Sequence, residues 1–254
     1  MLIALDIGNS SIKCGFFIKR ALSVKEFATH PLLPSPHYEA LILDYMREKN
    51  MDKKPEGIII SSVVQGHTEV LGKTLRRLFH VQPVIVDHTT NTGIRLNIPK
   101  PECLGPDRIA NAVAAEALYK CPAVVIDFGT ATTVSVVGRR ADYIGGAILP
   151  GIRLMSEALA RGTSRLSEIP VRSAVAALGT DTGSCVQSGL LYGTAGAVDR
   201  IITGIEKETG LRLKIVVTGG YSRIVAKHMK RGHKRIPRLT LQGLSLIYTR
   251  NRSA

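Results

Sequence analysis

The sequence predicts an α/β protein built as two similar lobes, each a mixed sheet flanked by helices. Three observations carry this. The chain opens with an apolar run ending in Asp6, a Gly-rich turn and a second apolar run. The same device returns at Asp127, 121 residues later and close to half of the 254-residue length. Around both copies, strand patterns alternate with helical ones.

The elements follow in order. Leu2–Leu5 and Ile12–Ile18 read as strands joined by turn chemistry at Gly8, Asn9, Ser10 and Ser11. Helical periodicity covers His37–Glu48, a strand covers Gly57–Ser61, a helix covers Thr68–Phe79 and a strand covers Val84–Val86. Residues 88–105 are polar and Pro-rich and read as loop. Pro106 suits a first helical turn, where its missing N–H loses no bond, and Asp107 places negative charge near that N-terminus. This helix runs to about Tyr119. The pattern then restarts: strand Ala123–Ile126 ending in Asp127, turn residues Gly129, Thr130, Ala131 and Thr132, strand Thr133–Val137. A third strand, Tyr143–Leu149, leads to a helix from near Gly151. Helical segments lie around Asp181–Glu208, and a strand at Lys214–Val217 ends in Thr218-Gly219-Gly220 before a further helix. The lobes are expected to divide as 1–119 and 120–254.

Composition narrows the class. Apolar content of 44% with 21% charged residues is globular and excludes disorder, collagen and coiled coil. The longest uncharged stretch, Thr182–Val198, holds four glycines and is no membrane span. The N-terminal MLIALDIGNS lacks a basic start and carries Asp6, unlike a signal peptide, so a cytoplasmic location is expected. Cys14, Cys103, Cys121 and Cys185 show no C-x-x-C spacing; they read as buried small hydrophobes rather than zinc ligands or disulfides. Of the net charge of +14, nine basic residues lie between Arg223 and Arg252 with no Asp or Glu among them. That stretch reads as a solvated basic surface, or one that attracts a polyanion. Aromatic content of 5%, with no Trp, supplies no stacking platform for nucleic acid.

An acidic residue at a strand end, followed by a Gly-rich turn, offers backbone N–H groups and hydroxyls to phosphate oxygens. The carboxylate can hold a hydrated Mg²⁺ that bridges those phosphates. Lys13 supplies a cation beside the first turn. One such turn is explained by an ordinary hairpin; two in matching positions suit a nucleotide gripped from two sides. The T-G-G at 218–220 is a third place where backbone can approach a ligand closely.

D-I-G-N-S at 6–10, D-F-G-T-A at 127–131 and T-G-G at 218–220 resemble the phosphate 1, phosphate 2 and adenosine motifs of the acetate kinase, sugar kinase, heat-shock chaperone and actin superfamily. The implied fold is two similar ribonuclease-H-like lobes, a duplicated actin-like ATPase. GPDRIANAVAA at 105–115, VIDFGTATTVSVV at 125–137, GGAILPGI at 145–152, RGTSRL at 161–166, VVTGGYSRIV at 216–225 and LTLQGLSLIY at 239–248 resemble one family within it, type III pantothenate kinase. The match runs from residue 1 to about 250.

The resemblance implies ATP-dependent phosphorylation of pantothenate, the first step toward coenzyme A. It implies Asp107 as general base, with Arg108 beside it neutralising charge or holding substrate. It implies that Asp6 holds Mg²⁺ on the ATP phosphates, and that Ile7, Gly8, Asn9, Ser10, Ser11, Ile12 and Lys13 form the phosphate loop. Thr130, Gly219 and Gly220 match ATP contacts. Ile98, Gly105, Pro106, Asp107, Arg108 and Thr182 match substrate positions, and Asp127 the site of a monovalent cation, K⁺ or NH₄⁺. Family members are homodimers. Three residues depart from the family pattern. Ser10 replaces a commoner Thr but keeps the hydroxyl. Pro106 replaces a commoner Ala and cannot donate an N–H. Ile98 stands where many members have a Tyr, so that substrate contact is apolar. The rival reading is a relative that serves as an accessory factor to nucleic acid; the intact Asp6, Asp107, Arg108 and Asp127 speak against it. The seven scattered histidines form no triad pattern, and Lys73, Arg76 and Arg77 read as a solvated helix face. Met155 and Leu159 read as helix packing.

Overall fold

The computed structural model describes residues 1–19, 21–163, 169–171 and 175–252. Within RGTSRL, residues 164–166 therefore lie outside the described residues. By contact density the chain divides into two units. The first comprises Met1–Ile94, Pro99–Ala114 and Thr240–Ala254, and the second Arg95–Ile98 and Ala115–Leu239. This differs from the sequence-based division at 119/120 in three places, the first being residues 95–98, which fall in the second unit. The helix that starts at Pro106 is shared between the units, and the C-terminal segment returns to the first.

In the first unit, β1 (Leu2–Ile7), β2 (Ser11–Ile18) and β3 (Ala21–Ala28) form an antiparallel meander. β4 (Gly57–Ser62) runs parallel to β1, and β5 (Val84–Ile85) parallel to β4, so the order is β3-β2-β1-β4-β5. The two-residue alternation sends Ile3, Leu5 and Ile7 to one face. There they join Ile12, Cys14, Phe16, Ile58 and Ile60 in a cluster closed by α1 (Ser35–Glu48) and α2 (Gln65–Phe79) through Tyr38, Ile42, Leu71 and Leu75. α2 ends at His80 in the left-handed conformation, and its Lys73, Arg76 and Arg77 are exposed, as expected.

The opposite face of this sheet carries Asp6, Lys13 and Gly15. A β-carbon at Gly15 would meet Leu241 of α7 (Leu239–Arg252), which places that helix on this face. α7 buries Leu239, Leu241, Leu244 and Ile247. It also grips the helix that begins at Pro106, α3 (Pro106–Tyr119). A β-carbon at Gly243 would fall 1.9 Å from the Ala110 carbonyl, so only glycine permits that approach. Beside it the Thr240 hydroxyl donates to Asn111 Oδ1 at 3.0 Å, both residues being buried.

The second unit repeats the plan. β7 (Ala123–Phe128), β8 (Ala131–Val137) and β9 (Asp142–Pro150) form the meander, with β10 (Lys214–Thr218) parallel to β7 and β11 (Lys234–Arg235) parallel to β10. β6 (Arg95–Leu96) adds an edge beside β9, giving β11-β10-β7-β8-β9-β6. Apart from β6, strand order and direction match the first sheet. Val124, Ile126, Phe128, Val134 and Val136 pack against Leu190, Leu191, Ala195, Val198 and Ile202 of α5 (Thr182–Thr209). α5 is one 28-residue helix rather than separate segments. Asp181 and Ser184 form a reciprocal capping box at its start, and Gly210 ends it in the left-handed region. α4 (Ile152–Gly162) and the short α6 (Ser222–Val225) complete the unit.

Several expectations are corrected. β3 was not anticipated, because ALSVKEFA has weak alternation; its full ladder with β2 holds it. The 88–105 loop contains β6 and a 3₁₀ turn at Pro101–Cys103. Only Cys14 of the four cysteines is buried; Cys103 and Cys185 are exposed and Cys121 is half-buried. Met155 packs against the second unit's core, whereas Leu159 is exposed. Seven of the nine basic residues of the C-terminal stretch are exposed, as a solvated basic surface requires, while the stretch also supplies β11 and a packed helix.

Candidate active site

In the first unit the register places Asp6 opposite Lys13 on β2 and Ser61 on β4. Directly opposed residues share a face, so these three side chains stand together, away from the α1–α2 cluster. The intervening turn is closed by the Gly8 amide donating to the Ser11 carbonyl at 3.0 Å. Ile7 and Ile12 belong to the apolar cluster. Of the loop positions named from sequence, these two therefore offer main chain rather than side chain to a ligand.

Asp107 sits in the first turn of α3, after Pro106 at the helix start. The Gly105 carbonyl accepts from the amides of Arg108 and Ile109, at 3.0 and 3.2 Å. The Asp107 carboxylate folds back over Gly105, where a β-carbon would lie 2.5 Å from Oδ1. Burial pushes this carboxyl above its usual range; an amide bond and the charge of Arg108 pull it partly back. Val63 borders Gly105 and is itself exposed, and its amide donates to the Ile7 carbonyl at 3.1 Å. The segment after β4 thus ties the end of β1 to the corner holding Asp107. Sequence reasoning gave this segment no role. Its signal is the Val63-Val64 pair directly after a buried strand.

The second unit builds a matching corner from three motifs. Asp127 lies opposite Thr133 and Thr218, on the face away from α5. Pairing runs from Phe128 to Thr132 here and from Ile7 to Ile12 in the first hairpin, so the second turn is one residue shorter. Thr133 consequently takes the place that Lys13 holds in the first unit. Gly219 has φ +90°, and a β-carbon there would lie 2.4 Å from Asp127 Oδ1 and 2.6 Å from the Phe128 carbonyl oxygen. The Tyr221 amide donates to Phe128 O at 3.0 Å, and the Ser222 hydroxyl to Gly219 O at 2.6 Å. The Gly151 amide donates to Thr130 O at 3.1 Å, seating the start of α4 against the same turn. Asp127, Thr130 and Gly219, distant in sequence, are therefore neighbours, with Gly220 next in the chain. Thr182 and Ile98 lie elsewhere in this unit: Thr182 is exposed at the first position of α5, and Ile98 follows β6.

Among the described residues no three His, Cys, Asp or Glu side chains converge as a metal site. A cation at Asp6 or Asp127 would take one carboxylate and fill its shell from phosphate, hydroxyl or carbonyl oxygens. That oxygen-only set suits Mg²⁺ on a nucleotide at Asp6. The Asp127 carboxylate and the Phe128 carbonyl around the bare Gly219 fit a hard monovalent cation equally well.

The family model described as type III pantothenate kinase matches residues 2–204. A type III pantothenate kinase of Agathobacter rectalis is 38% identical over 252 residues, covering 98% of this chain and 96% of that protein. One from Moorella thermoacetica is 33% identical over 253 residues, covering 99% and 100%. Among solved structures, component A of the Acidaminococcus fermentans (R)-2-hydroxyglutaryl-CoA dehydratase superposes with TM-score 0.59 at 13% identity, covering 100% and 99%. An archaeal actin homolog superposes with TM-score 0.52 at 12% identity, covering 99% of each chain. The fold is that of the actin-like ATPases.

Proposed function

The chain belongs to the type III pantothenate kinase family, and we propose that it transfers the γ-phosphoryl group of ATP to the primary hydroxyl of pantothenate. The products are 4′-phosphopantothenate and ADP, and the reaction opens coenzyme A synthesis in the cytoplasm. The observation that carries this reading is the Asp107 corner. A carboxylate lifted in pKa sits at a helix start, tied through Val63 and Ile7 to the strand that ends in the Asp6 turn.

Phosphoryl transfer asks a protein mainly for positioning and charge neutralisation. In the proposed step the pantothenate oxygen forms a bond to the γ-phosphorus as the bond to the β-bridging oxygen breaks. Asp107 takes the hydroxyl proton, and ADP leaves. A raised pKa suits that role, since a base works best with its pKa nearer the working pH. Arg108 neutralises charge on the transferring group or holds a polar group of pantothenate. The amides of the Gly8–Ser11 turn, the Ser10 hydroxyl and Lys13 hold ATP phosphates, and Thr130, Gly219 and Gly220 are the further ATP contacts of this reading. Thr182 and Ile98 contact pantothenate, Ile98 through an apolar surface. Mg²⁺ at Asp6 and K⁺ or NH₄⁺ at Asp127 would neutralise phosphate charge when bound. The working form is a homodimer; Ile148 and Leu178, 64% and 80% exposed, are apolar side chains that a second copy would cover.

A coupled assay following ADP tests this, with and without pantothenate and with K⁺ exchanged for Na⁺. The expected result is pantothenate-dependent ADP release that falls in Na⁺. Release that ignores pantothenate, or no release, would count against the reading.

A further inference from the structure

Thr29, the residue after β3, touches the phosphate turn twice. Its hydroxyl donates to the Gly8 carbonyl at 2.6 Å, and its amide donates to the Ser10 carbonyl at 3.3 Å. Thr29 is fully buried, so both of its donors are shielded from bulk water. Its own carbonyl is bonded at 2.6 Å to Nε2 of His67 on α2, also buried. A carbonyl can only accept, so His67 carries its proton on Nε2 and donates it. The His67 ring is flanked by Tyr38 and His30, which fix its plane. A continuous line thus runs from α2 through the main chain of Thr29 to both ends of the Gly8–Ser10 turn.

Phosphate-binding turns work when their amides are aimed before the ligand arrives. The Gly8–Ser11 bond closes this turn but does not itself hold the carbonyls of Gly8 and Ser10. Thr29 holds those two carbonyls, and a peptide plane whose carbonyl is fixed has its amide fixed as well. We propose that Thr29, backed by His67, is a positioning residue for the phosphate turn: it sets the direction of the Asn9 and Ser11 amides and so the affinity for the phosphates of ATP. Thr29 itself does not touch the nucleotide. The proposal rests on the reading of Gly8–Lys13 as the ATP phosphate loop.

The test compares wild type, Thr29→Val and Thr29→Ser in the pantothenate-dependent ADP assay, alongside thermal melting. Valine keeps the shape and deletes the hydroxyl bond, whereas serine keeps it. The expected result is a KM for ATP raised about tenfold in Thr29→Val, the size of one buried hydrogen bond. The KM for pantothenate should be unchanged, and Thr29→Ser should restore the ATP value. Unchanged ATP KM in a folded Thr29→Val would overturn the proposal. So would a matched change in both KM values, or a Thr29→Ser as impaired as Thr29→Val. If Thr29→Val does not fold, His67→Gln, which can still donate, is compared with His67→Leu. An ATP KM raised in the leucine variant alone supports the line, and equal values overturn it. Wild type lacking any saturable ATP dependence would instead remove the reading on which the proposal rests.

Discussion

Asp107 is a residue whose stability and activity pull in opposite directions. Burial raises its pKa above the value near 3.9 of an unfolded chain. A raised carboxyl pKa means that its contribution to stability is complete below about 3.9 and is lost as pH rises through the folded value. Near neutral pH the ionised carboxylate therefore costs the fold. Asp107→Asn removes that cost and also the base. We expect turnover to fall about 10²- to 10⁴-fold while the melting temperature at pH 7 stays level or rises. Calorimetry across pH and steady-state kinetics check this; near-normal turnover or a clearly lower melting point would refute it. In the wild type, the acid limb of kcat/KM, which reports the free enzyme, should lie above the ordinary Asp range. Gly219 gives a second prediction at this scale. At φ +90°, against Asp127, alanine meets both backbone strain of about 1–3 kcal/mol and a blocked carboxylate. Gly219→Ala should weaken activation by K⁺ and leave the KM for pantothenate alone. A full K⁺ response in that variant would exclude Asp127 as the cation site.

Among the elements, α7 carries the largest unanticipated role. L-T-L-Q-G-L looked like a sequence signature without a function. In three dimensions Leu241 fills the space over Gly15, Thr240 bonds Asn111, and Gly243 lets the helix reach the backbone of α3. The helix bearing Asp107 is thus held from behind by a helix that starts 133 residues later in the chain, at Leu239 against Pro106. Gly243→Val should push the two helices apart and cost roughly 1–3 kcal/mol, the usual penalty for overpacking. Urea denaturation would read this as a lower midpoint, and a midpoint equal to wild type would show that the approach is not tight in solution. The strands divide the same way. β1, β2, β7 and β8 were visible because apolar runs flank a turn. β3 and β6 were not, since edge strands with few buried side chains exist through ladder bonds to a partner that local pattern does not reveal.

For the whole molecule, the duplication explains both the length and the two acidic turns. Ignoring β6, the two sheets share strand order and direction, and each places its aspartate on the face away from the main apolar cluster. The halves are not identical: the shorter second turn puts Thr133 where the first has Lys13. Because α7 packs over Gly15 and against Ala110 of α3, ending the chain at Arg238 should uncover that sheet face and α3 rather than trim a tail. We expect such a chain to aggregate or to lose its cooperative melt; a melting point within a few degrees of wild type would overturn the assignment. By itself the sequence determined the repeated strand–turn–strand device, the start of α3 at Pro106, and the residue types able to bind phosphate and move a proton. These are readable because turns, caps and strand ends are set by residues within a few positions of each other. Only the tertiary structure decided that Asp127 and Gly219 share one corner, that Val63 and Thr29 brace the first turn, that Asp107 is desolvated, and that the basic C-terminus ends in a helix clamped on α3. Each of these depends on contacts between residues far apart in the chain, and on how much water those contacts exclude, which no local pattern encodes.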